Sequence, residues 1–269
     1  MKILGIVGDE SGGVADRLAN QLGKRGRVAV VTSSSVSTDS TRSANGFDSP
    51  NSSHSTTVEL GENGWCARGG NRSLSDVLDE LAPENDYAVV SGFPAADIPT
   101  VSLDDTDFAG ETLVATDADG LDVEAVCDAL AAVEEYETLE SLVERAKRSP
   151  NAERSGAIAT FTGRVRAKDS DDDTPTESLE FEIYDGVAQT KLNTIRDELE
   201  TRDGVFTVLL HHRTGVIEYG EDIVFVVVLA GHREEAFRTV EDGINRLKAE
   251  VPIFKKEVTT DEQFWVHER

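Results

Sequence analysis

Apolar positions in the first half of the chain come as short runs separated by amphipathic stretches. Residues 2–7, 27–32 and 86–90 are such runs, bounded by Gly, Asp and Ser, and this pattern predicts buried strands. Between the first two, Val14, Leu18 and Leu22 recur at helical spacing after the turn of residues 8–13. Strand, loop, helix and strand in that order open a mostly parallel α/β sheet. Leu74, Val77, Leu78 and Leu81 predict a short helix, residues 101–103 and 111–115 further strands, and residues 123–133 a helix that closes a first domain over 1–134. Residues 33–57 hold ten serines and no apolar period, which predicts a long insertion without regular structure.

The texture changes after residue 135. A helix over 139–147 ends at Ser149-Pro150-Asn151, and strands are expected over 156–165, 178–184, 205–211 and 222–229. Helices are expected over 189–200 and 234–251. The second carries Ala236, Phe237, Val240, Ile244, Leu247 and Val251 on one stripe and stops before Pro252. Residues 253–258 and 264–267 predict a closing strand pair. Helices and strands mix here without βαβ alternation, so the second domain, 135–269, is α+β.

The charge adds a constraint. Asp and Glu number 52 against 26 Lys and Arg, a net charge of −26, which repels nucleic acid and anionic membrane and argues against both as partners. Such a surface suits a salt-adapted protein. No run of eighteen apolar residues predicts a membrane span, and the apolar N-terminus is too short for a signal peptide. Cys66 and Cys127 are far apart and form no zinc-type spacing, so a reducing, cytoplasmic setting and no metal are expected.

The first turn has the layout of a phosphate-binding loop without its chemistry. That motif needs Gly-x-x-x-x-Gly-Lys-Ser/Thr, in which backbone amides cradle the phosphates and the lysine reaches them. Here the run is Gly8-Asp9-Glu10-Ser11-Gly12-Gly13-Val14-Ala15, with two acids in the loop and Val14 in place of the lysine. With Ile3-Leu4-Gly5-Ile6-Val7-Gly8, Asp86-Tyr87-Ala88-Val89-Val90-Ser91-Gly92-Phe93 and Ile98-Pro99, this half resembles the MobB family of P-loop proteins associated with molybdenum cofactor maturation. That family usually closes the second segment with Glu-Gly-Phe-Lys. Ser91 and Pro94 replace its charges, so the resemblance implies a degenerate domain kept for folding or docking, with no bound cofactor.

In so acidic a chain, clustered cations carry information. Arg164 and Arg166 leave one strand on the same face, His232 and Arg233 precede a helix, Lys248 ends that helix, and Lys255 and Lys256 follow Pro252. Together they suggest an anion pocket in which arginines grip a phosphate and lysines move protons. Singly, each reads as an ordinary solvated cation.

The blocks Gly156-Ala157-Ile158-Ala159-Thr160-Phe161-Thr162-Gly163-Arg164-Val165-Arg166, His212-Arg213-Thr214-Gly215, Gly220-Glu221-Asp222-Ile223-Val224-Phe225-Val226 and His232-Arg233 stand in order, before the stretch from Lys248 through Pro252-Ile253-Phe254-Lys255-Lys256-Glu257 to Trp265. In content and spacing they resemble the MoaE family, the large subunit of molybdopterin synthase. The resemblance implies a fold of the α/β-hammerhead type. It also implies conversion of cyclic pyranopterin monophosphate to molybdopterin, the sulfur arriving as a thiocarboxylate on the glycine tail of a MoaD-type ubiquitin-like subunit. A homodimer core within a heterotetramer is implied as well. Carried over by motif, Lys248 and Lys255 are catalytic, and Arg164, Val165, Arg166, His232, Arg233, Lys248, Lys255, Lys256 and Glu257 bind substrate. The acid-rich run Asp169 to Asp173 stands beside Arg166 as a competitor for it. The rival reading is a non-catalytic adaptor that binds phosphate or GTP through the first domain.

Overall fold

The computed structural model describes residues 1–33, 56–62, 64–168 and 170–266. Most of the serine-rich insertion, and Asp169, lie outside the described residues. The chain divides into two compact units, Met1–Tyr136 and Glu137–Arg269.

The first unit contains β1 (Lys2–Val7), α1 (Ser11–Leu22), β2 (Val28–Thr32), β3 (Thr56–Gly61), β4 (Gly64–Gly69), α2 (Leu74–Leu81), β5 (Tyr87–Ser91), β6 (Thr100–Ser102), β7 (Thr112–Ala115) and α3 (Val123–Ala131). Its main sheet runs β2-β5-β1-β6-β7, parallel at every pairing. The inner strands β1 and β5 are buried at all but their first residues because both faces are covered. Leu4, Ile6 and Val89 pack under Leu18, Leu22 and Leu130 on one side, and Ile3, Ala88 and Val90 meet Leu78 on the other. The hairpin of β3 and β4 was not foreseen from sequence. It is antiparallel and largely exposed, so it lacks the half-buried alternation that announces a strand.

Helix α1 begins at Ser11, earlier than the expected start near Val14. The helix therefore absorbs Gly12 and Gly13 and leaves only Gly8, Asp9 and Glu10 as the connection. Gly8 and Glu10 both take positive φ, 104° and 64°, to turn the chain that sharply.

The second unit contains α4 (Leu139–Lys147), a 3-10 turn (Ala152–Arg154), β8 (Ala157–Arg164), β9 (Thr176–Ile183), α5 (Asp185–Glu200), β10 (Val205–His212), β11 (Gly215–Glu218), β12 (Asp222–Ala230), α6 (Arg233–Glu250), β13 (Ile253–Thr259) and β14 (Gln263–Val266). It is α+β, with antiparallel sheets in the orders β10-β12-β8 and β11-β9-β13-β14. Strand β11, too short and too polar to stand out in the sequence, is held by β9.

Strand β12 is an unbroken apolar run because it is central and covered twice. Val224, Val226 and Val228 pack with α5 and α6, while Phe225, Val227 and Leu229 pack with α4. Helix α4 starts on a reciprocal cap: Ser141 N–H donates to Thr138 Oγ1 at 3.0 Å and Thr138 N–H to Ser141 Oγ at 2.9 Å. Helix α6 buries Ala236, Thr239, Val240, Gly243, Ile244 and Leu247. Phe237, expected on that stripe, is 65% exposed. Gly243 packs closely, since a Cβ there would stand 3.1 Å from Val226 Cγ1.

Candidate active site

The two antiparallel sheets and the end of α6 enclose a cavity of about 1410 Å³ in the second unit. Strand β8 delivers Arg164 to its wall and the following loop delivers Arg166. Arg164 is held in place: Nε lies 3.2 Å from Asp222 Oδ1, and the guanidinium also donates to the Gly220 carbonyl. Between the two arginines Val165 is 2% exposed and packs with Leu179, Phe181 and Ile217. Its N–H donates to Glu221 O at 2.9 Å and its carbonyl accepts from Gly220 N–H at 3.0 Å. Val165 therefore anchors the arginines: strand alternation sends its side chain into the core and not into the cavity.

Helix α6 delivers Lys248 in its last turn, where a cation also complements the helix dipole. Strand β13 delivers Lys255 and Glu257 to the same cavity, and the Glu257 carboxylate accepts from Thr176 Oγ1. Lys255 lies opposite Phe181 of β9, and Glu257 opposite Leu179. Lys256, between them, faces the other side of the sheet and pairs with its cross-strand neighbour Glu180, Nζ to Oε2 at 3.1 Å. Lys256 does not line this cavity, because strand alternation turns it away from Lys255 and Glu257.

His232 and Arg233 do not line this cavity. His232 caps the N-terminus of α6 and Arg233 is its first residue, while Lys248 is in its last turn. At about 1.5 Å of rise per residue the two ends are roughly 24 Å apart. Within one chain, then, the length of α6 keeps His232 and Arg233 apart from Lys248, and the sequence left open whether one pocket draws residues from two copies. Arg246, another cation of that helix, is tied to Glu250 at 2.6 Å and Glu198 at 2.7 Å, which raise its pKa further above the ordinary arginine value. Asp173, from the acidic run, lines the cavity with Arg166.

His212 is among the cavity residues with no role assigned from sequence. His212, at the end of β10, sits within the wall with its Nδ1 2.7 Å from Arg213 O and its ring edge-to-face with Phe181 at 4.8 Å. Burial, followed by the charge of Lys248 and against the pull of that hydrogen bond, lowers its pKa to about 4. Its signal in the sequence was the His212-Arg213 pair, whose position on a half-buried strand edge could not be read from periodicity.

In the first unit the loop before α1 is occupied by the protein itself. Asp104 accepts from Asp9 N–H at 2.8 Å and from Thr106 N–H at 2.9 Å, and its carboxylate stands 2.8 Å from where a Gly8 Cβ would be. Hydrogen bonds from Thr106 and Asp9 hold the Asp104 carboxyl below the usual range. Val14, at the position of the motif's lysine, is 2% exposed in the core. Among the described residues no group of three or more His, Cys, Asp or Glu side chains is placed to hold a metal ion, and no helix is long and apolar enough to cross a membrane.

Residues 133–250 match the MoaE protein family. A probable molybdopterin synthase of Haloferax volcanii is 55% identical over 270 residues, covering the whole of both chains. The molybdopterin synthase catalytic subunit of Pyrococcus abyssi is 38% identical over 112 residues, 42% of this chain and 74% of that one. The crystal structure of molybdopterin synthase from Staphylococcus aureus is similar at 33% identity and a TM-score of 0.44, over 51% of this chain and 94% of that one.

Proposed function

The chain belongs to the molybdopterin synthase family, and from that premise we propose that the cavity of its second unit is where a cyclic pyranopterin monophosphate receives two sulfurs. The chain is an enzyme of molybdenum cofactor biosynthesis, a catalytic subunit of molybdopterin synthase. The observation that carries the assignment to this site is the meeting of Lys248 and Lys255, from a helix end and a strand, with Arg164 and Arg166 in one cavity.

The residue types suit the chemistry. Arg164 and Arg166 offer planar, permanently charged donors to a phosphate. Lys248 and Lys255 stabilise the negative charge that develops as the cyclic phosphate opens and as a thiocarboxylate attacks, and they pass protons to and from the reacting atoms. Sulfur comes from the glycine tail of a MoaD-type ubiquitin-like partner, so no cysteine is needed in the cavity, and none lines it. Ordinary ligand cavities occupy roughly 300–1,000 Å³. A space of about 1410 Å³ has room for a pterin and a peptide tail together.

His232 and Arg233 complete a binding set only when a second copy of the chain brings them to the pocket, in keeping with a homodimer core flanked by small subunits. The first unit is read as a degenerate P-loop domain of MobB type that folds or docks and does not hold nucleotide. Its parallel sheet and the internal carboxylate of Asp104 support that reading. We read the setting as cytoplasmic, where Cys66 and Cys127 stay reduced.

The test is a reconstituted assay with the thiocarboxylated small subunit and the cyclic pterin. Lys248→Ala abolishes dithiolene formation while the melting temperature stays near that of the wild type, because the lost helix-end cation contributes only about 0.3–1 kcal/mol. Wild-type turnover by that variant refutes the assignment.

A further inference from the structure

We infer that Asp222 is a positioning residue for substrate binding, one that fixes the Arg164 guanidinium so that its remaining N–H groups are offered to the substrate phosphate. The inference rests on the reading of Arg164 as a phosphate ligand in the cavity.

A β-bulge brings the two residues together. Val224 of β12 lies opposite Gly163 of β8, but the next pair is Asp222 with Arg164, and the register shifts between them. Ile223 is thus one residue more than β8 can match. In a regular ladder Ile223 would stand opposite Arg164, and Asp222 opposite Val165. The extra residue is itself held, since Arg213 N–H donates to the Ile223 carbonyl at 2.8 Å. The turn before β12 is fastened to the same strand end. Gly220 N–H donates to Val165 O at 3.0 Å, and Val165 N–H donates to Glu221 O at 2.9 Å.

Two acceptors therefore meet one guanidinium. Arg164 Nε lies 3.2 Å from Asp222 Oδ1, and Nη2 donates to the Gly220 carbonyl. The guanidinium carries its donors in a rigid plane, so engaging both Nε and Nη2 fixes its place and its tilt. Among the described residues no other acceptor takes Arg164, which leaves Nη1 and the second proton of Nη2 for a ligand. Arg164 lines the cavity and Asp222 does not, so Asp222 acts through Arg164.

Stability does not account for the pair. The Arg164 side chain is 63% exposed and that of Asp222 37% exposed, a setting in which an ion pair contributes little. An arginine so exposed has many rotamers, and holding it ready lowers the entropy cost of gripping a phosphate. Charge does not account for the pair either, because a carboxylate beside a phosphate site repels the ligand.

That opposition gives the test its sign. The full chain is assayed with its thiocarboxylated partner and the cyclic pterin as Asp222→Ala, Asp222→Asn, Arg164→Ala and the double variant Arg164→Ala with Asp222→Ala. Where turnover is too slow for a KM, pterin affinity is read by titration calorimetry. Asp222→Ala removes charge and acceptor together. It is expected to raise KM about 10-fold with kcat within about twofold of wild type, the pattern of lost substrate binding. Asp222→Asn drops the charge but keeps an oxygen for Nε, and its KM is expected at or below the wild-type value. In the Arg164→Ala background, Asp222→Ala is expected to weaken binding no further. A KM for Asp222→Ala at or below wild type overturns the inference and leaves Asp222 as a repelling charge. An equal rise in both Asp222 variants overturns it too, as does an effect of Asp222→Ala that persists without Arg164. Wild-type pterin affinity in Arg164→Ala, or inactivity of the wild-type pair, overturns the reading of the cavity itself, and this inference with it.

Discussion

Lys255 and Lys256 are adjacent in the chain and face opposite sides of β13. The former lines the cavity, and the latter is bound to Glu180. Lys255→Ala is therefore expected to remove most synthase turnover. Lys256→Ala should leave kcat near wild type and cost less than about 1 kcal/mol of stability, the range for a partly exposed ion pair. Parallel steady-state kinetics and urea melts of the two variants check this, and equal losses of kcat would contradict the face assignment. Which residue types matter was legible in the sequence, because a cation in so acidic a chain needs a reason. Which of two neighbouring lysines faces the site was not, because strand register is set by the pairing of β13 with β9, far apart in sequence.

At the scale of elements, the connection from β1 to α1 shows how a familiar layout can lose its function. Early entry into the helix at Ser11 shortens the loop, Val14 turns into the core, and Asp104 takes the Asp9 amide that a phosphate would need. Titration calorimetry of the full chain with GTP and magnesium is expected to show no saturable heat. Micromolar affinity would favour the adaptor reading instead. The missing lysine was visible in the sequence. The internal carboxylate was not, since Asp104 lies 95 residues from Asp9 and only the parallel pairing of β6 with β1 brings them together. Helix α6 gives the complementary case. Its period marked Ala236, Val240, Ile244 and Leu247 as core, but the buried stripe also takes in Thr239 and Gly243 and leaves Phe237 outside.

Over the whole molecule, the excess of 52 acidic over 26 basic residues dominates the long-range electrostatics. Self-repulsion among surface carboxylates destabilises the folded chain at low ionic strength, and salt screens it over a Debye length of about 10 Å at 0.1 M and about 3 Å at 1 M. The thermal midpoint is expected to rise steadily with KCl between those concentrations. A flat or falling midpoint in differential scanning calorimetry would show that the charge is already balanced locally by ion pairs. The same field raises the importance of the cavity's cations, because the net negative charge of the chain repels an approaching phosphorylated pterin.

Local chemistry set the outline. Apolar periodicity marked most helices and strands, the change of texture near residue 135 separated α/β from α+β, and the ordered blocks from Gly156 to Trp265 pointed to the family and its lysines. These features depend on neighbours within a turn or a strand, so a linear string carries them. Long-range packing settled the rest: the outward turn of Lys256, the burial of Val165, the seat of His212 against Phe181, and the separation of His232 and Arg233 from Lys248 by the length of α6. Each of those depends on which distant strand or helix face lies alongside, and that choice is made only when the two halves of a core close on each other.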